Sequence, residues 1–403
     1  MTTAAEHLGI AETELLDAGA ICTAREIEQQ PRMLERTHAL LSALADEVAA
    51  FVAPVAQNPD ARVILTGAGT SAYIGQCLAP LLDRRLPARV DAIPTTDIVS
   101  CPALYLEPER PLLLVSFGRS GNSPESLAAV ALAESTVAEV RHLFVTCNAL
   151  GELARAPART AMTLLLPEET HDLSFAMTSS FSCMMYATLA ALCGPRTLDR
   201  RIGAIARATA GVIDGARARL RELAAQGHDR VVYLGSGPFQ GLAREAALKL
   251  GELSNGAVAT CFESPLGFRH GPKTFVTDRT LVVAFVSNDP LTRRYDRDLV
   301  DELRRDGCAA RILEVTAQPR PQGDADTLAI ADMADAADVD LLWPYVAVAQ
   351  LYAFHASLAL GLSPDNPNPQ GTVNRVVQGV RLYLESDGLH ADSTRATEGS
   401  PAA

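Results

Sequence analysis

VILTGAG at residues 63–69 and VVYLGSG at residues 231–237 decide the fold, because each is an apolar run that ends in two glycines separated by one small residue. Gly67 aligns with Gly235 and Gly69 with Gly237, 168 positions apart. That period is too long for a solenoid and suits two copies of one domain. A short apolar run without alternation reads as a strand covered on both faces, and the glycines let the chain turn sharply where it leaves the sheet.

Working outward, β-rich runs alternate with helical stretches around the first copy: SAYIGQCLAPLLDRR, ARVDAI, PLLLVSFG, PESLAAVALAES, RHLFVTCN and AMTLLLP. The same grammar surrounds the second, in GLAREAALKLGEL, AVATCFE, RTLVVAFVS, DRDLVDELRRDG and ARILEV. The expected fold class is therefore α/β, with two tandem domains, each a doubly wound parallel sheet flanked by helices. Residues 1–51 form an N-terminal helical arm, on the helical spacing of Ile27, Met33, Leu34, Leu40, Leu41, Leu44, Val48 and Val52, with a break near Pro31. Residues 52–200 make the first domain, 201–362 a connecting helix and the second, and 363–403 a proline-rich C-terminal segment ending in a disordered tail.

At 403 residues the chain exceeds the size at which one core stops growing, so at least two cores are expected. Its 48% hydrophobic and 21% charged residues are ordinary for a globular protein. No apolar run nears the roughly 20 residues a membrane span needs, and the acidic N-terminus lacks the features of a secretory signal, which points to the cytoplasm. A net charge of -13 argues against nucleic acid as a partner. The eight cysteines and eight histidines show no metal-ligand spacing, and the cysteines read as reduced core thiols.

In open parallel sheets, ligands bind where strands end and helix N-termini point free N–H groups into the crevice. Two loops of the first copy qualify. TGAGTSA, Thr66 to Ala72, formally matches the dinucleotide pattern G-x-G-x-x-A, with Asp91 where a ribose-binding acid would fall. A dinucleotide, another phosphate ligand and a plain tight turn all remain open for it. The second loop lies in VSFGRSGNSPES, Val115 to Ser126, where Ser123 can cap a helix that begins at Pro124. Gly118 and Gly121 allow close backbone approach, Ser120, Asn122 and Ser123 supply short donors, and Arg119 supplies charge. Thr70, Ser71, Ser120 and Ser123 converging on one compact phosphate would explain two hydroxyl-rich loops on adjacent strands; the plain alternative is a capped polar turn.

The second copy has a leaner first loop, GSGPFQG, which suggests another task. Its helix AREAALKLGEL puts Lys249 and Glu252 one turn apart, a pair whose bland reading is a surface salt bridge. In ESPLGFRHGPKTF, His270 stands between an arginine and a Gly-Pro turn. A histidine titrates near neutral pH, as a carrier for a sugar ring proton must, and a glutamate sheltered from water becomes a competent base for a carbon acid.

TGAGTS, SFGRSGNSPES, REAALKLGEL and FRHGP, in this order across a duplicated α/β chain, resemble the sugar isomerase (SIS) family over about residues 22–384. ETHDLSFAMTSSF, ESPLGFRHGPKTF, SNDPLTRRYDRDL and DNPNPQGTVNRVVQGV resemble its AgaS subfamily, described as galactosamine-6-phosphate deaminase/isomerase. The resemblance implies two SIS domains with five-stranded parallel sheets, assembly as a dimer or larger, and neither metal nor nucleotide cofactor. By the motifs of the related isomerase domain of glucosamine-6-phosphate synthase, Thr70, Ser71, Gly118, Arg119, Ser120 and Ser123 fall on the phosphosugar cradle, and Gly69 and Asn122 of the same loops join them as substrate-binding candidates. Gly118 replaces a serine there and Arg119 a glutamine. Lys249 and Glu252 fall on that relative's lysine and base, and His270 on its ring-opening histidine, which comes from the neighbouring subunit. Arg375 stands near its C-terminal catalytic lysine and, staying protonated, excludes a Schiff base at that position.

The implied reaction starts from a hexosamine 6-phosphate. His270 opens the ring, Glu252 moves a proton between C2 and C1, and Lys249 tunes the base, so that a C2 imine hydrolyses to ammonia and a ketose 6-phosphate. Rival readings are an aldose/ketose isomerase that keeps nitrogen, a sugar-phosphate sensor, and a dehydrogenase resting on TGAGTSA and Asp91.

Overall fold

The computed structural model describes residues 5–319, 325–377 and 379–383. The tail expected to be disordered, from His390 on, lies outside these residues. The N-terminal arm comprises a hairpin, β1 (Glu6–His7) and β2 (Ile10–Ala11), then helices α1 (Glu12–Asp17), α2 (Ile21–Glu28), α3 (Gln30–Ala43) and α4 (Ala45–Ala56). The break expected near Pro31 falls at Gln29, between α2 and α3, and Pro31 sits in the first turn of α3, where a missing N–H costs nothing.

The first sheet follows, as β3 (Arg62–Thr66), α5 (Thr70–Arg85), β4 (Arg89–Ala92), α6 (Thr95–Ser100), α7 (Pro102–Tyr105), β5 (Leu112–Gly118), α8 (Pro124–Thr136), β6 (Val140–Thr146), β7 (Ala161–Leu165) and α9 (Ser179–Cys193). Its strands are parallel in the order β4-β3-β5-β6-β7. Helix α10 (Ile202–Ala225) crosses to the second sheet: β8 (Arg230–Gly235), α11 (Pro238–Leu253), β9 (Ala259–Glu263), α12 (Pro265–Phe268), β10 (Thr280–Phe285), α13 (Pro290–Asp306), β11 (Arg311–Thr316), β12 (Thr327–Ala329) and α14 (Asp338–Ala359). Here the order is β9-β8-β10-β11-β12, the same winding, again all parallel. Both copies of the opening motif are central strands, which is why they are apolar throughout: Val63 and Leu65 point to one face and Ile64 to the other.

The packing gives several cores, as expected, but they do not divide by domain. A single cluster runs from Val63 and Leu65 of the first sheet to Val231 and Tyr233 of the second, through helices α5, α9, α11 and α14 sandwiched between them. Smaller clusters cover the outer faces, around Ile98 on one sheet and Leu299 on the other. Helix α14 is apolar on every side because it lies wholly inside this shared layer. Among the described residues no single helix is long and apolar enough to cross a membrane; α3 and α4 pass that test only as a pair bent by 76°.

The closest approach in the shared layer is between α5 and α11. Gly241 faces the α5 backbone so tightly that a Cβ there would stand 2.7 Å from Cys77 N and from Gln76 C. Glycine to alanine inside a helix ordinarily gains up to about 1 kcal/mol. Gly241→Ala should instead cost about 1–3 kcal/mol, because the clash is with backbone that cannot rotate away. A lowered thermal midpoint is the expected result, and an unchanged or raised one would show that the helices can separate freely.

Candidate active site

Strand β3 ends at Thr66, and the chain turns through two glycines that no other residue could replace cheaply. A Cβ on Gly67 would lie 2.6 Å from Ser71 Cβ, and Gly69 has φ +55°. Helix α5 therefore begins with Thr70 and Ser71 at its positive end, both buried. Ser71 Oγ donates to Met177 Sδ at 3.7 Å.

The second loop lies alongside because β5 neighbours β3, with Thr66 opposite Ser116. It is braced from the segment after β6: Thr146 Oγ1 donates to Gly118 O (2.6 Å), Asn148 Nδ2 to Ser120 O (2.8 Å), and Glu152 N to Asn122 Oδ1 (3.0 Å). Asn122 N in turn donates to Ser120 Oγ at 3.3 Å. Ser123 stands at the N-cap of α8, but the expected side-chain cap is absent; its hydroxyl donates instead to Glu125 Oε2 at 2.7 Å.

Helices α5 and α11 run antiparallel, so the helix that passes Cys77 at Gly241 reaches Thr70 at Lys249. Lys249 is only 1% exposed, not the surface partner of an ion pair. Its Nζ lies 2.8 Å from Glu252 Oε2, 3.2 Å from Thr70 Oγ1 and 3.3 Å from Glu245 Oε1. Burial acts to lower the ammonium pKa, but the carboxylates of Glu245 and Glu252 outweigh it and the pKa is raised, so Lys249 stays charged. Glu245 is fully buried, and desolvation pushes its carboxyl up to about 7 against the pull of Lys249. Sequence reading missed Glu245, although it lies four residues before Lys249 on the same helix face.

Arg119 is buried beside this group, but its amino groups are engaged: Nη1 donates to Ser174 O (3.1 Å) and Phe175 O (3.0 Å), Nη2 to Arg375 O (2.9 Å). Desolvation, then the neighbouring Arg375 cation, pushes the Arg119 guanidinium down to about 10. Arg375 Nε donates to Ser174 O at 3.2 Å, and its guanidinium also reaches Asp172 O. Asp91 is held by Arg62 Nε (2.6 Å) and Arg89 Nε (3.0 Å), which removes the acid on which the dinucleotide reading relied.

His270 is the one predicted residue the chain does not bring in. It lies exposed beyond α12, in a loop pinned by Arg269 to Glu302 (2.7 Å). The end of β9 meets the start of α11, where Gln240 Nε2 donates to Glu263 Oε1 at 3.4 Å. His270 lies between Phe268 and Phe275, which pack on the outer face of the second sheet with Leu299, whereas α11 and its Glu252 pack on the inner side.

Known proteins resemble this chain in sequence and fold. The SIS domain model matches residues 58–193, the part that carries both cradle loops. D-galactosamine-6-phosphate deaminase AgaS of Shewanella sp. strain ANA-3 is 44% identical over 385 residues, 94% of this chain and 95% of its own. The chain belongs to the SIS family, AgaS subfamily. The crystal structure of tagatose-6-phosphate ketose/aldose isomerase from Escherichia coli is an AgaS-like neighbour at 41% identity and TM-score 0.83, covering 91% of this chain and 97% of that one. A crystallised chain from Clostridium novyi NT reaches TM-score 0.91 at 38% identity, covering 95% and 100%.

The buried Glu245 gives the AgaS fold of this chain a pH signature. Its folded-state pKa is raised from 4.5 to about 7, so its contribution to stability is fully present below about 4.5 and is lost as pH rises through 7. Relative to Glu245→Gln, the wild-type chain should lose on the order of 3 kcal/mol of stability between pH 4.5 and 7 and little beyond. Urea unfolding of both chains across pH 5 to 8 reads the difference; parallel curves would mean that Glu245 keeps its unfolded-state pKa.

Proposed function

We propose that this chain catalyses the deaminating isomerisation of a hexosamine 6-phosphate, D-galactosamine 6-phosphate going to D-tagatose 6-phosphate and ammonia. The carrying observation is that α11 delivers Lys249 and Glu252 to Thr70, at the mouth of the loop pair Thr66–Ala72 and Gly118–Ser123. A phosphate in that cradle leaves C1 and C2 of the open-chain sugar near a carboxylate and a buried ammonium. Glu252 takes the C2 proton while O1 gains a proton, giving an enolamine; it then returns its proton to C1 as the nitrogen releases one, so that C1 becomes an alcohol carbon, C2 an imine, and the net change is one proton from C2 to C1 and one from nitrogen to O1. Water adds to the imine, ammonia leaves, and C2 becomes a ketone. Lys249 stays an ammonium throughout and stabilises the negative charge that develops as the C2–H bond breaks.

The names of the relatives support two versions of this chemistry. One is a galactosamine-6-phosphate deaminase and the other a tagatose-6-phosphate ketose/aldose isomerase. Both use the same C1/C2 proton transfer, and only the deaminase releases nitrogen. Glu252→Gln should lower turnover 10²- to 10⁴-fold, about the contribution of a general base, with little change in phosphate binding. Ammonia and ketose assayed together on galactosamine 6-phosphate should rise in equal amounts; ketose without ammonia would favour the isomerase.

The ring-opening proton carrier in this reading is His270 of a second copy, since the chain's own His270 is carried on the outer side of the second sheet, away from α11 and Glu252. A two-fold dimer with shared sites meets that need. Chains carrying Glu252→Gln and chains carrying His270→Asn, each inactive alone, should on mixing and reassembly recover about a quarter of wild-type activity, because half the dimers are mixed and each of these has one intact site. No recovery after verified exchange of subunits would mean that each site is built from one chain.

A further inference from the structure

Three segments distant in sequence meet at Arg119. The cradle loop carries it. The strap 172–178, between β7 and α9, is held from beneath by two buried carboxylates: Asp172 accepts Thr178 N (2.7 Å) and Ser180 N (2.9 Å), and Glu26 accepts Leu173 N (2.5 Å) and Ser174 N (3.1 Å). The C-terminal segment is anchored at Asp365, whose carboxylate caps α2 at Cys22 N (3.0 Å) and Thr23 N (2.8 Å) and whose carbonyl accepts Phe175 N (3.0 Å). It then passes Asn255, bonded to Asn368 Nδ2 at 2.8 Å just beyond the end of α11, and comes to Arg375.

Each of these contacts holds one segment to one other. Arg119 alone holds both foreign segments, by two carbonyls of the strap and one of the C-terminal segment. A planar guanidinium carries its donors on separate nitrogens in a fixed fork, so one buried side chain can reach carbonyls of two segments, whereas a lysine has all its donors on one nitrogen. The partners are carbonyl dipoles, not carboxylates, so the charge of Arg119 and that of Arg375 beside it are not neutralised by an ion pair at contact distance. Arg119 is buried and Arg375 half-buried; the carboxylates of Asp172, Glu252 and Glu26 act on Arg119 from beyond contact distance, and an anion in the cradle would add to them.

We propose that Arg119 is a positioning residue, joining the cradle loop, the strap and the C-terminal segment into one wall of the site, and that the substrate phosphate is drawn by its field without taking its amino groups. The inference rests on the phosphate-cradle reading above. It explains why an arginine stands where the synthase relative has a glutamine: the guanidinium ties the cradle loop to a C-terminal segment that otherwise holds at Asp365, at Asn368 and through Arg375 to the strap carbonyls of Ser174 and Asp172.

Amide hydrogen exchange on the full-length chain without ligand tests this apart from any assay of turnover. Arg119→Gln and Arg119→Lys should both speed exchange of residues 363–377 at least 10-fold, while Glu252→Gln leaves it unchanged. Calorimetric binding of inorganic phosphate should weaken less than about threefold in Arg119→Lys, which keeps the charge, and kcat should fall about 100-fold with KM nearly constant, as displaced walls do. Unchanged exchange in both variants overturns the proposal. So does a 10-fold or greater loss of phosphate affinity in Arg119→Lys, since that is the mark of a direct ligand. If Arg119→Gln does not fold, Arg119→Lys carries both measurements; and if the hexosamine phosphate is not the substrate, the exchange and phosphate results still stand or fall alone.

Discussion

The ammonium of Lys249 holds the two halves of this molecule in a working relation. It is buried among Thr70 of the first half and Glu245 and Glu252 of the second, and a charge taken so far from water is tolerable only with such partners. Those partners meet because α5 and α11 lie antiparallel and in near backbone contact at Gly241. Had that crossing been wider by a methyl group, the ammonium would lose either the cradle or the carboxylates. One helix crossing thus couples packing in the shared core to the chemistry at its edge.

The two halves wind alike but end differently. Where the first half keeps an open pair of loops, the second fills the corresponding place with its own carboxylates. Asp296 accepts Ser236 Oγ at 2.6 Å and Ser287 N at 3.0 Å, and Asp338 accepts Ser287 Oγ at 2.5 Å. Burial pushes Asp296 up to about 6. The donors at the ends of β8 and β10 are thereby consumed inside the chain. The helix faces are divided in the opposite sense: α11 carries Glu245, Lys249 and Glu252, whereas the corresponding positions of α5 are Cys77, Leu81 and Arg84. In the proposed function one half supplies the cradle loops and the other the acid–base groups.

Much of this was legible in the sequence. The paired glycines fixed the strand ends, since only they allow the sharp exit into α5 and α11, and the helical phase put Lys249 and Glu252 on one face. Glu245 was as regular in its spacing, yet nothing local distinguishes a glutamate facing water from one sealed between helices. Asp91 matched a ribose-binding acid until Arg62, on the neighbouring strand, engaged it. Ser123 matched a helix cap until Glu125 claimed its hydroxyl.

The sequence by itself determined the α/β class, the two-fold winding, the strand ends that form the cradle loops and the pairing of Lys249 with Glu252, because each depends on neighbours within a few residues. Only the tertiary structure decided the rest: a main core shared between the two sheets, a buried Lys249, an Arg119 committed to carbonyls of Ser174, Phe175 and Arg375, and a His270 carried on the outer side of the second sheet, away from Glu252. Burial, and the choice of partner for a charged group, are set by segments tens to hundreds of residues away, and the free energy of a charge depends on those surroundings more than on its place in the chain.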